Sequence, residues 1–198
     1  MKINSADFEV SSPDLKSCPR LGMPEFAFIG RSNVGKSSLI NLLTERRELA
    51  KVSDKPGKTR LINFFLINKN WRLVDLPGYG YAAVGEKRRL GFNEAVADFL
   101  SGREYLRRVF VLIDSRLSPQ AIDLEFLRWL ETCRVTYALV FTKTDKQSAQ
   151  QSAARIAEFK KAIGEWRSEM PEILTSSAKT RFGRGAILES IGRALKEG

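Results

Sequence analysis

The segment that most constrains this chain runs from Gly30 to Ser37 and reads GRSNVGKS. It follows an apolar run at Glu25 to Ile29 with the character of a β-strand, and it precedes an apolar run at Ser38 to Leu43 with helical character. A glycine-rich loop between a strand and a helix, ending in Gly-Lys-Ser, is typical of a phosphate-binding loop. The chain is therefore expected to bind a nucleotide.

Each residue type in this loop has a physical role in holding phosphate. Gly30 and Gly35 allow tight turns, so that backbone N–H groups and the helix N-terminus approach the anionic oxygens. Lys36 supplies a positive charge for the β- and γ-phosphates, and Ser37 supplies a hydroxyl for Mg²⁺. The residues expected to contact the nucleotide here are Gly30, Arg31, Ser32, Asn33, Val34, Gly35, Lys36, Ser37 and Ser38.

Length and composition favour a single globular domain. With 198 residues, of which 43% are hydrophobic and 28% charged, the chain is long enough for one well-buried domain and short for two. No run approaches the roughly 18 apolar residues of a membrane span, and the N-terminus lacks a secretory pattern, so a cytosolic protein without membrane association is expected. Residues 1–24 are interpreted as an N-terminal extension and residues 25–198 as one domain.

Two cysteines, Cys18 and Cys133, and the absence of histidine restrict the chemistry. Zinc sites of the CxxC type and catalysis that depends on imidazole are excluded, and a disulfide is not expected in the cytosol. The net charge of +10 favours a polyanionic partner, although lysines and arginines on solvated helix faces would produce the same charge.

Strand-like and helix-like runs alternate along the chain. Six apolar runs predict strands at Glu25 to Ile29, Leu61 to Ile67, Trp71 to Asp75, Arg108 to Asp114, Tyr137 to Thr142 and Glu172 to Ser176. Helical spacing predicts helices at Lys36 to Leu43, Glu86 to Ser101, Pro119 to Thr132, Ala149 to Trp166 and Ala186 to Lys196. The turn signal Asn68-Lys69-Asn70 predicts an antiparallel hairpin between the second and third strands.

This alternation predicts a three-layer α/β fold of the P-loop NTPase type. Its sheet would have six strands, mostly parallel with one antiparallel edge strand, and helices on both faces. In such a sheet the ligand lies at the carboxyl ends of the strands. Two loop regions, Glu45 to Arg60 and Gly78 to Gly85, flank the hairpin and are candidates to sense the phosphates.

Further candidate site residues lie in these loops. Gly57 and Thr59 precede the second strand, where the threonine hydroxyl would complete Mg²⁺ coordination. Asp75-Leu76-Pro77-Gly78 ends the third strand and would place a carboxylate near the metal and a backbone N–H near the γ-phosphate. The candidate metal ligands are Ser37, Thr59 and, through water, Asp75. The candidate catalytic residues are Lys36, Thr59 and Gly78.

Two later segments favour guanine over adenine. Thr142-Lys143-Thr144-Asp145 follows the fifth strand, and the Asp145 carboxylate would accept hydrogen bonds from the guanine N1–H and amine, a donor pair that adenine lacks. Lys143 would lay its aliphatic stem on the base, and Ser176-Ser177-Ala178 would supply a backbone N–H to the guanine carbonyl oxygen. A base that leaves Asp145 unpaired is rejected strongly. A P-loop kinase or ATPase is therefore the less favoured alternative.

These boxes, in this order, resemble those of small GTP-binding proteins of the translation-factor-related class, and within it the EngB/YihA/YsxC family. The resemblance is carried by GRSNVGKSSLIN (30–41), PGKTR (56–60), DLPGYGYA (75–82) and TKTDK (142–146), and it spans residue 26 to the C-terminus. It implies a bacterial GTPase that uses GTP, GDP and Mg²⁺ and assists late assembly of the large ribosomal subunit. Loss of such a protein would appear as a defect in growth, cell division or septation.

The partners implied by the resemblance are ribosomal RNA and ribosomal proteins, and we expect a monomer. A protein that acts directly on the division machinery, with RNA irrelevant, remains the alternative. Basic clusters beside the two loops agree with an RNA partner: Arg46-Arg47, Lys51, Lys55, Lys58-Thr59-Arg60 and Lys87-Arg88-Arg89. A second basic set lies near the C-terminus: Lys179, Arg181, Arg184, Arg193 and Lys196. Any one of these clusters could equally be a solvated face.

Three positions affect the expected affinity for nucleotide and the expected rate of GTP hydrolysis. Thr142 stands where asparagine is usual and cannot offer its amide contacts to the base and the phosphate loop, which predicts moderate affinity and fast exchange without an exchange factor. Tyr79 stands where many GTPases have a glutamine that orients water. We interpret it as a packing or partner-surface residue, so hydrolysis should be slow unless a partner or K⁺ supplies the missing group. Asn33 matches a position used for K⁺ in related GTPases, although it is equally interpreted as a loop-stabilising residue.

Overall fold

The computed structural model describes residues 1–20, 22–50, 61–80 and 94–197. Within these residues seven strands are β1 (Ala6–Ser12), β2 (Glu25–Gly30), β3 (Ile62–Ile67), β4 (Trp71–Asp75), β5 (Leu106–Asp114), β6 (Tyr137–Thr142) and β7 (Glu172–Thr175). The α-helices are α1 (Lys36–Thr44), α2 (Glu94–Gly102), α3 (Ala121–Thr132), α4 (Ala149–Gly164) and α5 (Arg184–Ala194). A short 3-10 helix covers Thr144–Lys146.

All seven strands form one sheet in the order β1-β3-β4-β2-β5-β6-β7. Strand β2 pairs in parallel with β4 and β5, and β6 pairs in parallel with β5 and β7. Strand β3 is antiparallel to both of its neighbours, β1 and β4, which confirms the predicted hairpin. The mostly parallel α/β sheet is therefore as the sequence predicts.

The predicted count of six strands, with the antiparallel strand at the edge, is wrong. The additional strand, β1, comes from residues 1–24 and pairs outside β3, so that the antiparallel strand is second in the sheet. Its sequence, ADFEVSS, shows no clear apolar alternation, and only its two end residues are fully buried. An edge strand with so little burial needs few apolar residues, and this is why its pattern gave no strand signal.

Alternate residues of the central strands supply two separate apolar cores. Phe26 and Phe28 of β2 face the core shared with α1 and α5. Ala27 and Ile29 face the core shared with α2, α3 and α4. Because successive strand residues point to opposite faces, one continuous apolar strand fills both layers. Helices thus cover both faces, and the loops at the carboxyl ends of the parallel strands remain available for a ligand.

Helix boundaries differ from the predicted ones by about two residues. Helix α5 begins at Arg184 instead of Ala186, because Gly183 adopts a left-handed conformation (φ 82°) that starts the helix there. A capping box between Ser148 and Gln151 begins α4 where the sequence predicts it. The predicted helix start at Glu86 lies outside the described residues. Over the part of the chain that the structure covers, none of the helices combines the length and apolarity of a membrane span.

A buried network of charges joins β1 and the segment after it to the centre of the sheet. The Arg72 guanidinium, fully buried on β4, donates to both carboxylate oxygens of Glu9 at 2.7 and 2.9 Å. Its Nη1 also lies 3.6 Å from Glu25 on β2. Arg103 donates to both Glu25 oxygens at 2.7 and 2.6 Å and to the Pro19 carbonyl oxygen at 2.6 Å. Charge pairs therefore hold the N-terminal segment on the sheet.

Candidate nucleotide site

The phosphate loop connects β2 to α1 and is shaped by its two glycines. A Cβ on Gly30 would lie 2.8 Å from the Leu112 carbonyl oxygen and 2.9 Å from Val34 Cγ1, so only glycine fits there. Gly35 has a φ of 101° and immediately precedes the first residue of α1, Lys36. The loop backbone therefore adopts the turn predicted for phosphate binding.

Lys36 and Asp75 meet beside this loop. The Lys36 ammonium forms an ion pair with Asp75 Oδ1, and both side chains are about nine-tenths buried or more. Their meeting follows from the topology, because β2 and β4 are parallel neighbours and place Asp75 opposite Phe28, two residues before the loop. Ser37 follows Lys36 in the first turn of α1. A carboxylate and a hydroxyl are the hard oxygen donors that Mg²⁺ prefers, so Asp75 and Ser37 fit this ion.

Gly78 lies directly against the phosphate loop. A Cβ at this position would come within 2.6 Å of the Gly30 carbonyl oxygen and 3.6 Å of the Ser32 nitrogen. The Leu76 N–H donates to the Phe28 carbonyl oxygen at 3.0 Å, which continues the pairing of β4 with β2 past the strand end. The structure thus brings the backbone of Gly78 next to Gly30 and Ser32 of the candidate phosphate loop.

On the other side of the loop, Asp145 presents one carboxylate oxygen without a partner. Its Oδ1 accepts a hydrogen bond from Ser177 Oγ at 2.7 Å, and this bond, the largest cause, lowers the pKa of Asp145. Its Oδ2 is buried and has no hydrogen-bond partner among the described residues. A buried carboxylate oxygen is costly to leave unpaired, so this atom fits a ligand that donates hydrogen bonds, as guanine does.

The loop after β7 carries the last predicted group. The N–H groups of Ser176 and Ser177 donate to the carbonyl oxygens of Phe141 and Phe182 at 2.8 and 3.1 Å. These two N–H groups are therefore engaged within the protein. Ala178 is exposed and directly follows them, so its N–H is the better candidate to meet a base.

Comparisons with known proteins agree with this geometry. Residues 25–143 match the model of a family described as 50S ribosome-binding GTPase. A protein of Bacteroides thetaiotaomicron named probable GTP-binding protein EngB is 48% identical over 197 residues, covering all of this chain and 98% of that protein. The protein of the same name from Christiangramia forsetii is 49% identical over 191 residues, 96% of each chain. The chain belongs to the EngB family of GTP-binding proteins.

Solved structures confirm the P-loop GTPase fold. The crystal structure of a probable GTP-binding protein EngB has a TM-score of 0.68 at 22% identity, covering 88% of this chain and all of that one. Translation elongation factor SelB from Methanococcus maripaludis has a TM-score of 0.62 at 18% identity, covering 87% of this chain and 33% of that one. The fold of this chain is therefore shared with part of a longer elongation factor.

Thr142 makes a contact in this EngB chain that the sequence analysis did not foresee. Its hydroxyl oxygen lies 2.7 Å from the Val34 carbonyl oxygen and 3.2 Å from that of Ile113, and the whole group is buried. Threonine lacks the amide of asparagine, but its hydroxyl still makes one contact with the phosphate loop. A hydroxyl is shorter than an amide, but the loop carbonyl approaches closely enough to accept from it.

Lys143 bridges the phosphate loop and a carboxylate that the sequence analysis missed. Its ammonium donates to the Asn33 carbonyl oxygen at 2.6 Å and to Asp114 Oδ2 at 2.9 Å. Arg116 also donates to Asp114, from Nε at 2.9 Å and Nη2 at 2.7 Å. Burial by itself would raise the pKa of Asp114, but the hydrogen bonds from Arg116 and Lys143 outweigh it and lower the pKa to about 2. The position of Asp114 at the end of a buried strand, like that of Asp75, was the available signal.

Tyr79 packs away from the phosphate loop, which confirms its interpretation as a packing residue. It is 1% exposed, stacks on Phe126 with ring centroids 4.2 Å apart, and donates to Asp123 Oδ1 at 2.8 Å. Burial first, and then the charge and hydrogen bond of Asp123, raise the pKa of Tyr79 well above its usual value. Its hydroxyl therefore stays protonated and is committed to Asp123.

Several predicted residues lie outside the described part of this EngB chain. They are Gly57, Thr59, Lys51, Lys55, Lys58, Arg60, Lys87, Arg88 and Arg89. Two residues of the C-terminal basic set, in contrast, contact the residue that precedes Arg46 and Arg47. Arg181 forms an ion pair with Glu45, and Arg184 lies 3.2 Å from the same carboxylate.

Proposed function

We propose that this chain is a nucleotide-dependent switch that binds GTP and GDP with Mg²⁺, hydrolyses GTP slowly by itself, and assists assembly of the large ribosomal subunit. Normal cell division and septation would depend on that assembly. The observation that carries the proposal is the convergence of Lys36, Asp75 and Gly78 on one phosphate loop. Such an arrangement distinguishes a nucleotide with a γ-phosphate from one without it.

The proposed roles follow the geometry. The phosphate loop and the start of α1 hold the phosphates, and Lys36 and Gly78, together with Thr59, stabilise charge on the γ-phosphate. Mg²⁺ would be held by Ser37 and Thr59, and by Asp75 through water, and would neutralise charge on the phosphate oxygens. The proposed base-binding residues are Thr142, Lys143, Asp145, Ser176, Ser177 and Ala178.

Slow hydrolysis is proposed because the position of the water-orienting glutamine is occupied by Tyr79, whose hydroxyl is committed to Asp123. A bound partner or K⁺ near Asn33 would then supply the missing charge. Replacing K⁺ by Na⁺ in single-turnover assays tests the second option. A lower rate in Na⁺ that Asn33→Ala abolishes supports the cation, and equal rates exclude it.

The large ribosomal subunit is proposed as the partner because the family is described as 50S ribosome-binding and the chain carries a net charge of +10. Lys179 is exposed directly after the proposed base-binding residues Ser176 to Ala178, and Arg181 pairs with Glu45, the neighbour of Arg46 and Arg47 in the sequence; we propose that these residues form a basic face. Phosphate contacts on this face would give affinity for ribosomal RNA, while RNA shape and ribosomal proteins would give specificity. We propose a cytosolic monomer in which residues 25–198 form a single GTP-binding domain, with β1 completing its sheet.

The decisive experiment measures binding to purified large subunits and to assembly precursors with GDP, with a non-hydrolysable GTP analogue, and without nucleotide. We expect tighter binding with the analogue, and weaker binding as salt is raised. Asp145→Asn is the matched control, because its amide should favour xanthine over guanine. In this variant, xanthosine nucleotides should restore the nucleotide dependence that guanosine nucleotides no longer provide.

Equal binding with all nucleotides to subunits and precursors would contradict the proposed switch. The alternative, a GTP-regulated protein acting directly on cell division, would then predict nucleotide-dependent capture of division proteins without RNA. A preference for ATP over GTP in competition would instead indicate a P-loop ATPase or kinase.

A further inference from the structure

Tyr79 links the phosphate loop to helix α3 through a buried hydrogen bond. It is the residue directly after Gly78, and its side chain enters the core beneath α3. There its ring stacks on Phe126 at an interplanar angle of 15°, and its hydroxyl donates to Asp123. The peptide that joins Gly78 to Tyr79 therefore lies between the phosphate loop on one side and α3 on the other.

Asp123 is a buried carboxylate in the first turn of α3. It is 3% exposed, and its Oδ1 accepts a hydrogen bond from the Tyr79 hydroxyl at 2.8 Å. Burial raises the pKa of Asp123, while the Tyr79 hydrogen bond and the positive charge of Arg31 oppose that rise. Arg31 belongs to the phosphate loop, so the nucleotide site itself supplies charge that stabilises this carboxylate.

Arg31 also contacts the segment that follows Tyr79. A Cβ built on Gly80 would lie 3.8 Å from both Cγ and Nε of Arg31, and 3.0 Å from Ile122 Cδ1 of α3. With a φ of 84°, Gly80 turns the chain between these two side chains. Residues of the phosphate loop, the Gly78 segment and α3 thus meet in one small cluster.

We propose that Tyr79, Asp123 and Arg31 form a positioning unit that holds the Gly78 peptide at the phosphate loop and couples the γ-phosphate to helix α3. None of the three needs to touch the reacting atoms, so they act as positioning residues. The inference rests on the proposed role of Gly78 as the group that meets the γ-phosphate.

The positioning unit should affect the binding of GTP and the binding of GDP differently. The Gly78 N–H would contact only the γ-phosphate, so a loosened Gly78 peptide weakens GTP binding and leaves GDP binding unchanged. Tyr79→Phe keeps the ring on Phe126 and removes only the hydrogen bond to Asp123. We expect the affinity for a non-hydrolysable GTP analogue to fall about fivefold to twentyfold, with the affinity for GDP within twofold of wild type.

Tyr137→Phe is the matched control. Tyr137 is also a buried tyrosine, 6% exposed, and donates to the carboxylate of Glu131 at 2.7 Å, but it lies at the start of β6, away from the phosphate loop. Both variants should lower the unfolding midpoint, since each loses one hydrogen bond to a carboxylate. Only Tyr79→Phe should change the ratio of analogue affinity to GDP affinity.

Hydrogen exchange of α3 supplies a second readout. In the wild type, the analogue should slow exchange in the first turn of α3 relative to GDP, and Tyr79→Phe should remove that difference. An unchanged affinity ratio in Tyr79→Phe, or an equal change in Tyr137→Phe, would overturn the inference. The proposed function fails separately, if the wild-type protein binds large subunits and their precursors equally well with GDP and with the analogue.

Discussion

At the scale of single residues, Asp114 pairs with Lys143, a candidate base-binding residue. Its carboxylate receives hydrogen bonds from Lys143 and Arg116, and the same Lys143 ammonium reaches the phosphate loop at Asn33. Because the pKa of Asp114 falls from 3.8 to about 2 on folding, the ionised carboxylate stabilises the folded state. This contribution is complete above about pH 4 and is lost as the pH falls through about 2.

Asp114→Asn should therefore lower the free energy of unfolding at pH 7 by about 1–2 kcal/mol. The difference from wild type should shrink below about pH 4 and nearly vanish near pH 2, because the wild-type carboxyl is then protonated too. Urea unfolding followed by circular dichroism between pH 2.5 and pH 7 measures this. A difference that stays constant over that range would contradict the assignment.

Thr142 tests whether a hydroxyl can replace the usual amide at the phosphate loop. Thr142→Val keeps the shape but leaves the Val34 carbonyl oxygen without its hydroxyl donor, so we expect a loss of about 1 kcal/mol in stability and a severalfold weaker GDP affinity. Thr132→Val, which loses a hydroxyl contact to the Trp129 carbonyl oxygen far from the site, is the control. Unchanged GDP affinity in Thr142→Val, measured by titration with fluorescent GDP, would show that the contact does not support the loop.

At the scale of elements, α1, which follows the candidate phosphate loop, is held at its C-terminal end by α5. Arg184 donates to the carbonyl oxygens of Leu42 and Leu43 at 2.9 to 3.2 Å, and so meets acceptors at the end of α1. A cation at this end also interacts favourably with the helix dipole. The candidate phosphate loop therefore precedes a helix whose other end is anchored by a distant part of the chain.

Arg184→Gln should lower the free energy of unfolding by about 1–2 kcal/mol, because partly buried carbonyl groups lose charged donors. Arg155→Gln is the control, since Arg155 pairs with Glu158 on the surface of α4, where such a pair contributes about 0.5 kcal/mol or less. Chemical unfolding of the two variants separates the effects. Equal losses of unfolding free energy in the two variants would show that the contact between α5 and α1 stabilises the fold no more than a surface ion pair does.

At the scale of the whole molecule, the N-terminal strand is part of the folded unit. Glu9 on β1 supplies the bidentate partner of Arg72, whose side chain is fully buried on β4. Removing the carboxylate partner of a fully buried arginine is costly, because the guanidinium remains in a poor environment for an ion. The charge network, together with the pairing of β1 with β3, explains why residues 6–12 order as an edge strand.

Glu9→Gln should lower the free energy of unfolding by about 2 kcal/mol, because the amide cannot replace the carboxylate beside Arg72. Asp7→Asn, an exposed position on the same strand, should change stability by less than about 0.5 kcal/mol. Hydrogen exchange gives the structural readout, since β3 amides should exchange faster in Glu9→Gln. Unaltered exchange of the β3 amides in Glu9→Gln would show that the pair of Glu9 with Arg72 does not stabilise β1.

Much of this molecule follows from local sequence, because its strongest signals are short and continuous. The GRSNVGKS loop, the apolar strands and the helix patterns each occupy one stretch of chain, so their types could be predicted and their ends located within about two residues. The clustering of the candidate phosphate-binding and base-binding residues could be predicted for a related reason. Parallel strands bring their carboxyl ends to one edge of a sheet, so motifs that follow those strands must come together.

What only the tertiary structure decided depends on contacts between distant residues. Strand β1 is stabilised by Arg72, 63 positions from Glu9, and its own pattern carries little signal. Asp114 accepts a hydrogen bond from Lys143, and Tyr79 donates one to Asp123, 44 positions away. Neither pairing is visible in the local sequence. By itself, the sequence determined the nucleotide-binding fold and the chemistry available at its site. Which polar side chains pair inside the protein depends on distances between elements, and these arise only when the sheet and helices pack.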